Sequence, residues 1–324
     1  MRRLLVCLDL SALSEACLPY AISLAKTFGS SITLLHVMQP PHESSGPRTT
    51  NALDWEVARQ AATAYLELVQ SDAAHASGRQ VDRRLEQGRP AERIVALAHD
   101  LNADLTVLGS HGEGGRTAWN LGSTAAQVLA VAKGSVFVAR STSCSPSVVS
   151  LKRILVPLDG SQRTESVLPT AVRIAKANGA ELLLVHIVSS TVPTIMLHDA
   201  EDLKIVQELT SRIEVGAKEY LEHLRLLLVG DLPSVRTLVI RQVDERQSLI
   251  EVSEREGVDL IVLSAHGSTC NLARTFGSVA AHLLAHSTVP LLVLQDAPDV
   301  AGARKADDEE LAPALRASFT PEPG

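Results

Sequence analysis

The sequence predicts an α/β fold of two tandem, doubly wound parallel sheets, each covered by helices on both faces. Three observations carry that expectation. The chain repeats itself: Arg3-Leu4-Leu5-Val6-Cys7-Leu8-Asp9-Leu10-Ser11 aligns with Arg153-Ile154-Leu155-Val156-Pro157-Leu158-Asp159-Gly160-Ser161 at an offset of 150. Leu34-Leu35-His36-Val37 aligns with Leu184-Val185-His186-Ile187 at the same offset. Asp104 to Gly112 then aligns with Asp259 to Gly267, and Gly122-Ser123 with Gly277-Ser278, at an offset of 155. Each repeat also alternates short apolar runs with longer amphipathic segments. The short runs are nearly continuous in their apolar character, which marks strands buried on both faces of a parallel sheet. Right-handed crossovers between such strands give a doubly wound, nucleotide-type fold.

In the first repeat the chain enters on a strand near 3–8, the run Leu4 to Leu8, and passes through a helix near 13–27 to a strand near 31–37. A long helix near 52–77 leads to a strand near 80–86. The next helix, near 90–101, carries Ile94, Leu97, Ala98 and Leu101 at helical spacing. Leu105-Thr106-Val107-Leu108 is a continuous buried-strand run within 104–109, and a helix near 120–132 and a strand near 135–139 complete the unit. The second repeat is longer by five residues, placed between Val37 and Gln87. The predicted domains are 1–143 and 150–296. Ser141 to Ser147 reads as a polar linker, and 297–324 as a flexible acidic tail with at most a short helix around Asp307–Arg316.

Composition narrows the partners. The 324 residues are 45% hydrophobic and 21% charged, ordinary material for two cores. A net charge of −7 argues against nucleic acid, and 3% aromatic residues argue against a base-stacking platform. Apolar runs such as Leu182–Val185 and Leu226–Val229 fall far short of the roughly 20 residues of a membrane helix, so no membrane partner is expected. The opening residues are cut by Asp9 and show no secretory signal. Cys7, Cys17, Cys144 and Cys270 have no CxxC spacing, so a reduced, cytoplasmic protein without a metal site is the simplest reading.

In doubly wound sheets the ligand crevice opens at the carboxyl ends of the strands, where strand order reverses. Asp9, repeated as Asp159, leaves the first strand there and can accept hydrogen bonds from a ribose or a base edge; an Asp or Ser at that place can equally cap the helix that follows. The second segment is Gly109-Ser110-His111-Gly112, then nine residues, then Gly122-Ser123. The first two glycines suit a close backbone approach or a positive φ. Gly122-Ser123 opens a helix whose first N–H groups point outward with the positive end of the dipole, a place for phosphates. His111 and His266, between the glycines, are candidates to touch a ligand, whereas His36 and His186 read as core or hydrogen-bonded histidines. Glu113, Arg116 and Arg274 read as solvated loop charges, with Arg116 or Arg274 alternatively within reach of phosphates, and Cys7 and Cys17 as small apolar packing residues. There is no Gly-x-x-x-x-Gly-Lys-Ser/Thr run, carboxylate pair, positioned lysine or HExxH, so no catalytic residue is assigned.

The strand-one Asp together with G-x-x-G, nine residues and G-[ST] resembles the universal stress protein family in its tandem form, over residues 2–140 and 152–295. The resemblance implies two Rossmann-like domains of the adenine nucleotide alpha hydrolase type, each a five-stranded sheet of order 3-2-1-4-5. It also implies bound ATP, alone or with Mg2+. By that likeness Asp9 would contact the adenosine part and the Val37 backbone the adenine. Gly109 and Gly112 would line ribose and phosphates, and Gly122 and Ser123 would hold the phosphates. In the second repeat Asp159, Ile187, Gly267, Gly277 and Ser278 take the same places. Two departures stand out: Ser264 replaces the first glycine of the second repeat, and Cys7 stands where the second repeat has Pro157. The runs Val136–Ala139 and Leu291–Leu294 would be exposed apolar edges unless paired. Pairing them gives an intrachain pseudo-dimer, and a homodimer of chains is a further expectation. The expected function is a cytoplasmic stress-response protein with ATP as a regulatory ligand and at most slow hydrolysis. The alternatives are a nucleotide-free module acting through protein partners, and a weak ATPase.

Overall fold

The computed structural model describes residues 1–39, 52–111, 121–140, 149–189, 200–232, 234–268 and 274–295. The expected linker and tail lie outside them. The elements run β1 (Arg3–Leu8), α1 (Ala12–Glu15), α2 (Leu18–Phe28), β2 (Ser31–Met38), α3 (Ala52–Ser77), β3 (Val81–Gln87), α4 (Pro90–Asp100), β4 (Leu105–Gly109), α5 (Ser123–Val131) and β5 (Ser135–Ala139). The second repeat follows with β6 (Arg153–Pro157), α6 (Gln162–Glu165), α7 (Leu168–Asn178), β7 (Glu181–Ser189), α8 (Ala200–Leu228), β8 (Val235–Gln242), α9 (Glu245–Arg255), β9 (Leu260–Ser264), α10 (Ser278–His286) and β10 (Leu291–Leu294). Among the described residues two compact units result: one comprises β1 to β5 with Leu284–Gln295, the other β6 to β9 with Phe276–Leu283.

In the first unit the strands lie in the order β3-β2-β1-β4-β5, the order the resemblance implies, and all are parallel, as the alternating pattern predicts. β10 belongs to this unit by its contacts and runs antiparallel to β5, with Leu291 opposite Val138, Leu292 opposite Phe137 and Val293 opposite Val136. In the second unit β9-β6-β7-β8 are parallel neighbours in the equivalent order. The central strands are sealed on both faces: Leu4, Leu5, Val6, Leu105 and Val107 are fully buried, as are Ile154, Leu155, Val156 and Leu260 in the second core. Continuous apolar runs thus become central strands because helices cover both faces.

The single helix expected near 13–27 is two helices. Pro19 occupies the first turn of α2 and has no N–H to continue the ladder from α1, so the chain kinks at Ala16 and Cys17. The second repeat breaks identically at Pro169. Ser11 and Ser161 cap the short helices, each accepting a backbone N–H three residues on, from Ser14 at 3.1 Å and Thr164 at 3.4 Å. Both repeats also hook the start of the first strand to the fourth. Asp104 accepts the Arg2 and Arg3 amides at 2.7 and 3.0 Å, and Asp259 those of Lys152 and Arg153 at 2.7 and 2.9 Å. No helix among the described residues is long and apolar enough to cross a membrane.

Candidate functional site

The first unit opens a cavity of about 640 Å³ at the carboxyl ends of β1, β2 and β4. It brings together Asp9, Val37, Gly109, His111, Gly122 and Ser123, every first-repeat candidate that lies among the described residues. Gly112 lies outside them. The sequence order of these groups spans more than a hundred residues, and the parallel sheet delivers them to one end because every strand points the same way.

Asp9 follows β1 and is half-buried. Its Oδ1 accepts the Ser11 N–H at 3.1 Å and the Ser11 hydroxyl at 2.5 Å, while the Asp9 N–H donates to Ser14 Oγ at 3.2 Å. The cap of α1 therefore falls on Ser11 and not on Asp9. Asp9, which lines the cavity, fixes Ser11 by these two bonds. Leu10, between them, holds a positive φ of 69°.

Gly109 resolves the choice left open between close approach and positive φ. Its φ is not positive; a Cβ there would lie 3.2 Å from the His111 carbonyl and 3.3 Å from Ser14 Cα, so the glycine lets β4 and α1 touch. The Gly122 N–H donates to the Ser110 carbonyl at 2.7 Å, tying the start of α5 to the exit of β4. The Gly122 amide is thereby engaged within the protein, which leaves the amides that follow it to face the cavity. Gly122 is the N-cap and supplies no side-chain acceptor. The first-turn amides of α5 thus lack the usual cap, and Ser123, Thr124 and Ala125 all line the cavity. Positive helix end and hydroxyls together face the space. His111 lies beside it, with Nδ1 3.2 Å from Ser110 Oγ and a buried Nε2 without a hydrogen-bond partner among the described residues.

The second unit repeats the frame with a different set of contacts. The Gly277 N–H donates to the Ala265 carbonyl at 2.7 Å, matching Gly122, and a Cβ on Gly277 would lie 3.3 Å from that oxygen. Ser278 opens α10, Ile187 is half-buried on β7, and His266 is buried. Asp159 reaches across the crevice: Oδ1 accepts the Ser161 N–H at 2.9 Å and the Thr164 hydroxyl at 2.8 Å, and Oδ2 accepts the Ser268 N–H at 2.7 Å. A Cβ on Gly267 would lie 2.5 Å from that Oδ2, so this glycine makes room for the carboxylate. Burial alone would push the Asp159 carboxyl up; the hydrogen bonds from Ser161, Ser268 and Thr164 outweigh it and hold the pKa at about 2. Ser264, at the place of Gly109, is buried, and its hydroxyl accepts the His266 N–H at 3.4 Å.

The bland readings also have positions. His36 Nδ1 is 2.9 Å from the Leu8 carbonyl, a hydrogen-bonded strand histidine as expected. His186 stands edge-on to Tyr220, and its buried Nδ1 has no partner among the described residues. Cys7 and Cys17 are buried thiols; desolvation pushes Cys7 up and Cys17 up to about 12, so both serve as packing groups. Sequence reasoning missed the far wall, where α3 contributes Trp55, Ala58 and Ala62 and α4 contributes Pro90 and Ile94. The available signal was the 55, 58, 62 spacing, which places three residues on one helix face.

Comparison with known proteins places this architecture. The family described as "Universal stress protein family" matches residues 1–140 and again 150–295. A universal stress protein of Mycolicibacterium smegmatis is 26% identical over 299 residues, covering 90% of this chain and 96% of that protein. A universal stress protein of Methanocaldococcus jannaschii is 25% identical over 157 residues, 45% of this chain and 96% of its own length. Among solved structures, a universal stress protein from Archaeoglobus fulgidus superposes with a TM-score of 0.61 at 20% identity, over 90% of this chain and 98% of that one.

Proposed function

This chain belongs to the universal stress protein family through two domains in tandem, and on that premise we propose that it is a stress-response protein that binds ATP in the first unit's cavity as a regulatory ligand. One observation carries the reading: Asp9 and the uncapped first turn of α5 line the same cavity of about 640 Å³. A carboxylate that accepts hydrogen bonds suits ribose or base donors, and unsatisfied helix amides suit phosphate oxygens. Mg2+ would arrive with the phosphates, since a triphosphate can supply most of its oxygen ligands. We assign no residue to activate water, so hydrolysis is slow at most. The second unit keeps Asp159, Ile187, Gly267, Gly277 and Ser278, but its carboxylate is engaged by Ser268, and we assign it the weaker site. A cytoplasmic setting, an intrachain pseudo-dimer and a homodimer of chains complete the proposal.

Denaturing freshly purified protein and chromatographing the released small molecules tests the reading directly. Adenine nucleotide approaching one equivalent per chain is expected. Added Mg-ATP at a hundredfold excess over Kd should raise the unfolding free energy by roughly 2.7 kcal/mol. Asp9→Ala should weaken ATP about tenfold, the loss expected for a hydrogen bond to a charged acceptor. An empty protein whose melting Mg-ATP fails to shift would overturn the proposal in favour of a module that acts through protein partners.

A further inference from the structure

We infer that Trp55 is the base-recognising wall of the first unit's cavity: its indole face takes the flat heteroaromatic base of the ligand, and the matching position of the second unit carries no ring. The inference rests on the proposal that this cavity holds a nucleotide. It adds which residue reads the base and why the two repeats are not equivalent.

Trp55 stands in the first turn of α3, which follows the connection from the carboxyl end of β2. It lines the same cavity as Asp9 and Ser123, and it is the one indole among the described lining residues. Ala58 and Ala62, three and seven residues further on, line the cavity from the same helix face. α3 therefore contributes one broad flat side chain and two methyl groups to the cavity lining. Trp55 is half-buried, and its indole N–H has no hydrogen-bond partner among the described residues.

The second repeat supplies the internal comparison. Tyr65 on α3 donates its O–H to Glu15 of α1 at 2.9 Å, and Tyr220 on α8 donates to Glu165 of α6 at 2.9 Å. These matched tethers fix the alignment of the two long helices. Each helix is continuous for ten residues upstream of its tyrosine, so Trp55 corresponds to Thr210. Thr210 is buried and bonds its hydroxyl to the Val206 carbonyl at 2.7 Å, turned into its own helix. An aromatic platform at this helix position is thus a property of the first unit. Stacking on an aromatic face tolerates any base, because each has a π-face, and its loss on alanine substitution is large enough to measure.

Equilibrium dialysis of the full chain tests this with two probes: ATP, and inorganic tripolyphosphate, which carries phosphates but no base. Trp55→Ala and Trp55→Thr should weaken ATP about tenfold and leave tripolyphosphate unchanged, while Trp55→Phe keeps most of the ATP affinity. In a Trp119→Phe chain the remaining Trp55 emission should be quenched by ATP and not by tripolyphosphate. ATP binding by Trp55→Ala at wild-type strength would overturn the inference and leave the nucleotide proposal standing. Equal loss of both probes would also overturn it, since Trp55 would then act through the fold. Wild-type protein that binds neither probe would remove the nucleotide proposal and this inference together.

Discussion

At Leu10 the backbone takes a φ of 69°, where the Cβ of an ordinary residue crowds the neighbouring carbonyl at a cost of about 1–2 kcal/mol. The second repeat meets the same turn with Gly160 at 81°, and nothing lies within 4 Å of the place a Cβ would occupy there. The strain at Leu10 is therefore a choice of this repeat, made where the side chain is 40% exposed and lines the cavity. Leu10→Gly should stabilise the chain by about 0.5–1 kcal/mol in urea unfolding, the relieved strain being partly offset by the freer unfolded glycine. Gly160→Leu should cost about 1–2 kcal/mol by the same argument reversed. Asp159 carries a second residue-scale expectation. Its folded pKa, about 2, lies below the ordinary aspartate value, so it contributes stability above that ordinary value and loses it as pH falls toward 2. The side chain is partly exposed, which screens the contribution to about 1 kcal/mol. Comparing acid unfolding of wild type and Asp159→Asn should show a shallower pH dependence in the variant between about pH 4 and 2; identical slopes would mean that the Ser268 contact adds nothing to the carboxylate.

The tyrosine tethers join elements that periodicity treats as separate. Each links a long helix to the short helix after the first strand, and each hydroxyl is pushed well above the ordinary tyrosine range, by burial first and by its glutamate partner second. Tyr65→Phe and Tyr220→Phe should each lower stability by about 1 kcal/mol, with the denaturant m-value unchanged. An unaltered midpoint in both would show that these helices are held by their apolar faces alone. The pairing was present in the sequence, since the tyrosines keep one repeat offset and the glutamates the other, yet nothing in a list of motifs connects residues fifty apart. The legible parts were those where burial writes itself into composition. β1, β4, β5 and α3 lie at or within a residue of their expected bounds because their apolar runs are unbroken or their helical spacing is long. The split of the first helix was hidden because the buried positions Ser14, Cys17, Ala21, Leu24 and Ala25 stay in helical phase across the kink, although Pro19 announces it. Asp9, Gly109 and Gly122 were legible as a site because strand ends and helix starts are predictable places. Trp55 was not, because its role depends on which face of α3 turns toward the crevice, and that is settled only by packing against β2 and β3.

For the whole molecule the decisive element is β10, which is late in the chain and yet completes the first unit. β5 carries Val136, Phe137, Val138 and Ala139 without solvent exposure, and β10 pairs along it. Side-chain bonds reinforce the strand: Gln295 N–H donates to Ser135 Oγ at 3.2 Å, Gln295 Nε2 to the Thr275 carbonyl at 2.9 Å, and Arg140 Nη2 to the Leu284 carbonyl at 2.7 Å. Arg140 is half-buried, and desolvation lowers its pKa to about 10, a cost that the fixed Leu284 carbonyl helps to offset. Without β10, β5 would present a row of unpaired amides and carbonyls flanked by apolar side chains, the surface on which strands of other chains add. Residues 1–149 expressed alone should therefore self-associate, running as a dimer or larger species by light scattering at micromolar concentration, while the full chain keeps that edge covered. Supplying a Leu291–Gln295 peptide should not rescue the monomer, because so short a strand cannot repay its own ordering entropy. A fragment 1–149 that is monomeric and unfolds as cooperatively as the full chain would show that the β5 edge needs no cover, and that the apolar run Leu291–Leu294 is kept for another reason.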